Sequence, residues 1–382
     1  MKNKSPAEQI VVIDLVRFLA AFAVLLVHLA FTIGARDDSV VHHLSRGVAE
    51  APFWPDLTFY GFIGVQVFFV ISGIVIAYSA NGASTWQFFR SRFLRLVPAA
   101  WICASLTLFA VWWVDGPSAE LWREYRHSML FLPWAPWIDS VYWTLGVEIA
   151  FYTVVGFFIR SGRMAQLTSL ASILSLLSLG YWLTITLAHQ GIYPVLQPLL
   201  DPPYFVSRLL ELLLIKHGCY FAAGILICKA CVERVGRPRA WLILVMMMTA
   251  ILEIYWKTQT SAKGDDFSPI LPTCVFFGAV LLIIGGIRRN DWFRRHAGLS
   301  SLMRTLGLLT YPLYLLHANI GAVIVGRLVN LGVAVLPAIG MASASVILLS
   351  YLVVAYLEPW LRRLVARSMD LFRNRILAGQ GV

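Results

Sequence analysis

Residues 9–33 read QIVVIDLVRFLAAFAVLLVHLAFTI, twenty-five residues with three ionisable side chains, Asp14, Arg17 and His28. A bilayer core needs about 20 mostly apolar residues in one helix, so this run is long enough to span a membrane. It does not read as a cleavable signal peptide, being too long, interrupted by Asp14 and Arg17, and without a clear small-residue cleavage site. Nine further runs repeat the pattern, at about 60–80, 96–114, 142–160, 165–188, 207–228, 240–256, 269–287, 305–326 and 336–357. The expected fold is all-α, a polytopic transmembrane bundle of about ten helices.

Composition agrees with lipid as the solvent. Hydrophobic residues make up 59% of the chain and charged residues 13%, against about a quarter charged in an ordinary soluble protein. The +11 net charge comes from the flanks of apolar runs, which argues against a nucleic-acid partner. Loops on one side of the predicted bundle hold Lys2, Lys4, Arg90, Arg92, Arg95, Arg160, Arg163, Lys229, Arg234, Arg237 and Arg239. They continue with Arg288, Arg289, Arg294, Arg295, Arg304, Arg362, Arg363, Arg367, Arg373 and Arg375, twenty-one in all. The alternate loops hold seven: Arg36, Arg46, Arg123, Arg126, Lys257, Lys263 and Arg327. Basic residues gather on the cytoplasmic side, so both termini are expected there. The largest outer segments, 34–59 and 115–141, carry Trp54, Pro55, Trp122, Pro133, Trp134, Pro136 and Trp137 and read as interfacial caps. The domain reading is one membrane-embedded domain over 1–363 and a short basic cytoplasmic tail over 364–382. Five scattered cysteines, with the lone Cys228-x-x-Cys231, read as small helical residues and give neither a disulfide framework nor a metal site.

Ionisable groups at mid-membrane are costly and need a partner or a use. Asp14 and Arg17, three residues apart, share a helical face and can neutralise each other. Arg17 and His28 are eleven residues apart, close to three turns and about 16 Å along the axis. A snorkelling Arg17 and a satisfied His28 would account for that pair alone. However, Glu148 and His317 fall at similar depth on other predicted helices. Two imidazoles and a carboxylate there suit a hydrogen-bonded general acid–base site, or equally a proton relay in a transporter. In GFIGVQVFFVISGIVI, residues 61–76, Gly61, Gly64, Gly73 and Ser72 permit close helix packing. Arg92 and Arg95 are accounted for by topology, or form a phosphate clamp, since guanidinium forks match phosphate oxygens.

Taken together these stretches resemble acyltransferase family 3, membrane-bound enzymes that acylate carbohydrates. Arg17 and His28 match its R-x10-H signature, with Asp14 before it. Gly64-Val65, Phe68-Phe69 and Ser72-Gly73 resemble its second-helix motif, and Arg92-Phe-Leu-Arg95 with Pro98 its R-x-x-R. Trp143-Thr-Leu-Gly-Val-Glu148 with Phe151-Tyr152 is similar to its W-S-L-x-x-E-x-x-F-Y stretch. Tyr311-Pro-Leu-Tyr314-Leu-Leu-His317 and Glu358-Pro359 look like its late motifs. Gln66 stands where many members are acidic, and Thr144 replaces the usual serine. The resemblance runs from residue 14 to about 363.

What it implies is transfer of an acyl group, most often acetyl, from cytoplasmic acetyl-CoA or another acyl-CoA to a hydroxyl of an extracytoplasmic saccharide, in a bacterial cytoplasmic (inner) membrane. His28 would be the base, with Glu148 orienting its imidazole, and Arg17 beside both the donor and the chemistry. Arg92 and Arg95 would hold the CoA phosphates. Tyr314, His317, Trp143 and Ser72 would contact the acceptor or the oxyanion, and Asp14 would be a structural ion-pair partner. Partners are then acyl-CoA, a carbohydrate acceptor and membrane lipid, with no metal. Some members carry an extracytoplasmic hydrolase-like domain, a role that here would be absent or supplied by a separate extracytoplasmic protein. The rival reading is a transporter or flippase using the intramembrane charges as a relay, which the lack of internal repeats disfavours.

Overall fold

The computed structural model describes residues 10–35, 38–48, 55–191, 194–234, 236, 239–260 and 267–379. Lys2, Lys4, Arg36, Trp54, Arg237 and Lys263, named above, lie outside them. Among the described residues every regular element is helical. Eight helices among the described residues are long and apolar enough to cross a membrane. They are α1 (Val11–Thr32), α2 (Leu57–Ala80), α3 (Thr85–Asp115), α4 (Ser140–Arg160), α5 (Met164–His189), α7 (Ala240–Thr260), α8 (Ile270–Arg288) and α11 (Val335–Asn374). A shorter apolar helix, α6 (Gly218–Val232), lies between α5 and α7. A bent pair, α9 (Ala297–Leu316) and α10 (Asn319–Asn330), makes a ninth span if counted as one. The protein is thus an all-α polytopic membrane protein.

Two of the ten expected spans take a different form, and polar residues account for both. The run expected over 207–228 is split into Tyr204–Leu212 and α6. Arg208, Glu211 and Lys216 fall inside it and pair with one another, Arg208 Nη1 reaching Glu211 Oε2 at 2.8 Å and Lys216 Nζ reaching Glu211 Oε1 at 3.4 Å. The backbone freed by the turn finds partners on α5: Trp182 Nε1 donates to the Lys216 carbonyl, and Ser178 Oγ accepts from Cys219 N–H. The run expected over 305–326 bends by 73° between α9 and α10. Two other helices overrun their apolar runs. The Arg-rich α3 starts at Thr85 on a capping box between Ser84 and Gln87, and α11 continues to Asn374.

The chain divides into two compact units, each described by itself: Met1–Val27, Asp56–Ala83 and Thr144–Gly307 form the first, and His28–Pro55, Ser84–Trp143 and Leu308–Val382 the second. In the first, α1 and α2 approach backbone to backbone, because Gly61 faces the Ala23 carbonyl and Gly64 the Ala20 carbonyl. A side chain at either glycine would strike that carbonyl, so here the packing reading of the second-helix glycines holds. In the second unit, α3 packs along the far end of α11, and α10 packs on α11.

Candidate functional site

α1 loses its α-helical register where the chemistry is expected. Val27–Thr32 is a π-helical turn, a local widening that recurs at functional sites, and His28 is its second residue. Within the second unit the His28 and His317 rings lie 5.0 Å apart between centroids, inclined at 57°. Tyr314 follows at 5.7 Å from His317. His317 is fully buried. Its Nδ1 lies 2.8 Å from the Tyr314 carbonyl oxygen and 3.2 Å from that of Leu313. A carbonyl only accepts, so in the neutral ring Nδ1 carries the hydrogen and Nε2 keeps a lone pair. That Nε2, and Nδ1 of His28, are buried with no hydrogen-bond partner among the described residues. Buried imidazole nitrogens are normally satisfied, so the two open nitrogens make this pair the candidate site.

The bend after Leu316 brings His317 to this place. Past the bend, the backbone N–H at the start of α10 finds its acceptor in Asp139. The Asp139 carboxylate, 1% exposed, accepts from Asn319 N–H and Val141 N–H, both at 3.1 Å. Asn319 Nδ2 donates in return to the Ile138 carbonyl at 2.9 Å. Asp139 stands one residue before the α4 span, and burial pushes its carboxyl up to about 7. Two hydroxyls tie neighbouring elements to α3: Tyr311 donates to the Leu96 carbonyl at 3.2 Å and Tyr142 to that of Ala100 at 2.9 Å. Arg92 and Arg95 lie just before Leu96, in the first turns of α3, with Arg92 over the Phe88 ring at 5.9 Å.

In the first unit, Glu148 Oε1 accepts from Ser72 Oγ at 2.9 Å and from the Tyr152 hydroxyl. Asp14 and Arg17 form the expected ion pair, at 3.9 Å. Gly307 of α9 lies against Asp14, where an added methyl group would collide with the carboxylate. The expected set His28, Glu148 and His317 therefore appears as a histidine pair in one unit and a hydroxyl-bound carboxylate in the other. Trp143 opens the α-helical part of α4.

A family model described as an acyltransferase domain, Acyl_transf_3, matches residues 10–356. The chain belongs to acyltransferase family 3. This family-3 chain is also 29% identical over 147 residues to acyltransferase MdmB of Streptomyces mycarofaciens, covering 36% of the chain and 35% of that relative. It therefore matches about a third of the length of the curated relative. No solved structure matches it. Membership and the apolar helices together make it an integral membrane protein of an acyltransferase family.

Sequence reasoning missed two features of this family-3 chain. Asp139 and Asn319 are 180 positions apart, and neither stands within an expected span in a way that suggests a clamp. The other is a buried centre in the first unit. There Glu253, fully buried, receives Lys257 Nζ at 2.8 Å and Gln66 Nε2 at 3.0 Å on Oε1, with His217 Nδ1 at 3.6 Å. Its signal was available: Glu253 falls within an apolar run, and Lys257 follows four residues later.

Proposed function

We propose that this protein is a membrane-bound O-acyltransferase that moves an acyl group, acetyl in the simplest case, from cytoplasmic acyl-CoA to a hydroxyl of an extracytoplasmic saccharide. It works in a bacterial cytoplasmic membrane with both termini inside. The observation that carries the reading is the His28–His317 pair, with its two unpartnered ring nitrogens, in a chain of an acyltransferase family.

In this mechanism the acceptor hydroxyl sits at the histidine pair and His28 removes its proton. The oxygen attacks the thioester carbonyl, the C–S bond breaks, and the CoA thiolate leaves, with the proton on His28 returned to it. The lone pair on His317 Nε2 holds the hydroxyl or the His28 N–H, fixing which nitrogen acts as base. This replaces the role of oxyanion donor, which a neutral His317 with its hydrogen on Nδ1 cannot fill. A positioned base of this kind contributes about 10²–10⁴-fold. Arg92 and Arg95 hold the donor's phosphates, and Arg17 lies beside the thioester arm with Asp14 as its counter-ion. Glu148, with Ser72 and Tyr152, serves the acceptor side, as do Tyr314 and Trp143. An acyl-histidine intermediate is the less favoured variant.

The test uses proteoliposomes with labelled acetyl-CoA on one side and envelope saccharides on the other. Label appearing in saccharide, only when donor faces the Arg92 side, supports the reading. Label moving with no thioester cleavage would replace it with a transporter.

A further inference from the structure

α11 runs unbroken well past the apolar part of its sequence, and its far end lies against the start of α3 within the second unit. Two contacts set the register. Arg90 forks onto Asp370, Nε to Oδ1 at 3.0 Å and Nη2 to Oδ2 at 2.7 Å. The Arg373 guanidinium lies over the Trp86 ring at 5.7 Å. Ascending residue numbers on α3 thus meet descending numbers on α11, an antiparallel ladder. The next rung brings the Arg95 of α3 to the Glu358 end of α11, where the Glu358 carboxylate interacts with both Arg95 and Arg362. Arg362 is eight residues before Asp370 and eleven before Arg373, about two and three turns, so all three share one helical face.

We infer that Arg362 on α11 completes the phosphate-binding face begun by Arg92 and Arg95 on α3, for the nucleotide phosphates of the thioester donor. This rests on the reading of acyl-CoA as donor. Two guanidinium groups, Arg95 and Arg362, act on one carboxylate there, leaving a surplus of positive charge that suits a polyanion. Topology accounts for arginines on this side, yet it does not account for Asp370 and Trp86, which fix where they stand. Exposed ion pairs add little stability, so what the Arg90–Asp370 fork supplies is register. The face also lies on the path to the chemistry: one residue beyond Arg95, the Leu96 carbonyl is bonded by Tyr311, and His317 follows six residues later, about 9 Å along the helix. A phosphate held at Arg362 would leave the flexible arm of the donor free to follow that line. These features favour the nucleotide over a lipid headgroup as the source of phosphate.

The test is CoA binding to the purified full chain, measured by titration calorimetry for wild type, Arg362→Gln, Arg362→Lys and Arg163→Gln, with acetyl-pantetheine as a ligand lacking the nucleotide. Arg163 is an exposed arginine of the other unit and serves as the charge control. The expected result is about 10-fold weaker CoA binding in Arg362→Gln, a smaller loss in Arg362→Lys, and none in Arg163→Gln. Acetyl-pantetheine binding should be the same in all four, which also shows that the variants are folded. CoA affinity unchanged in Arg362→Gln overturns this inference alone. Loss of co-purified phosphatidylglycerol in Arg362→Gln with CoA affinity unchanged assigns the arginine to lipid and overturns it too. Wild type that binds no CoA overturns the donor reading and this inference with it.

Discussion

Along α3, the second unit holds two polar regions built on opposite terms. At the Arg92 end charged groups pair across helices, Arg90 with Asp370 and Glu358 with Arg95 and Arg362, with Arg373 over Trp86 and positive charge in excess. At the other end are two buried rings, His28 and His317, with two nitrogens that have no hydrogen-bond partner among the described residues. Exposed arginines keep their charge at small cost and suit the binding of a charged group. Imidazoles with open ring nitrogens suit proton exchange with a hydroxyl. The difference teaches that donor binding and acyl transfer should be separable by substitution, one region setting KM and the other kcat.

The largest expected effect is at His28. Replacing it with alanine should lower kcat by about 10³-fold, within the range for a general base, and leave KM for acyl-CoA near wild type in steady-state assays. His317→Ala should lower kcat by about 10²-fold, again with KM little changed, since His317 positions the base or the hydroxyl. A rise in KM alone in either variant would erase the distinction between the two regions. Arg95→Gln should do the reverse, raising KM for acyl-CoA about 10-fold with kcat nearly unchanged, checked by the same assay.

The smallest effect concerns Asp139. Its carboxyl is raised by burial to about 7 from about 4 in an unfolded chain. The stability contributed by that shift is fully present below the lower value and is lost as pH rises through the upper one. Wild type in detergent should therefore melt at a lower temperature at pH 8 than at pH 5. Asp139→Asn should flatten that dependence while keeping much of the activity, because the amide oxygen still accepts a backbone N–H. Asp139→Ala should lose more activity, having no acceptor to hold the bend at His317. Equal melting curves for wild type and Asp139→Asn at both pH values would mean that Asp139 is not the titrating group.

The spans were legible because a run of some twenty apolar residues with a charged flank has few other readings, and eight such runs stand as single helices. His28 and Arg17 were legible for the converse reason, since charge in such a run calls for an explanation. The breaks were not. The turn at 213–217 and the bend at His317 depend on Trp182, Ser178 and Asp139, partners distant in sequence that hydropathy does not register. The lengths of α3 and α11 were underestimated for a related reason: their arginine-rich ends lower hydropathy, yet stay helical where Arg90 meets Asp370, 280 positions away. Depth alone suggests Glu148 as a partner for an imidazole; that Ser72 and Tyr152 donate to one of its oxygens depends on neighbours that depth does not reveal.

If the histidine pair drives transfer from an acyl thioester, free CoA must appear as acyl groups leave. The most direct measurement is release of free CoA from acetyl-CoA by purified protein in proteoliposomes supplied with envelope saccharides, wild type beside His28→Ala. The account predicts steady release by wild type, matched mole for mole by acetylated saccharide, and release near background for the variant. Equal release by both, at equal protein levels, would contradict it.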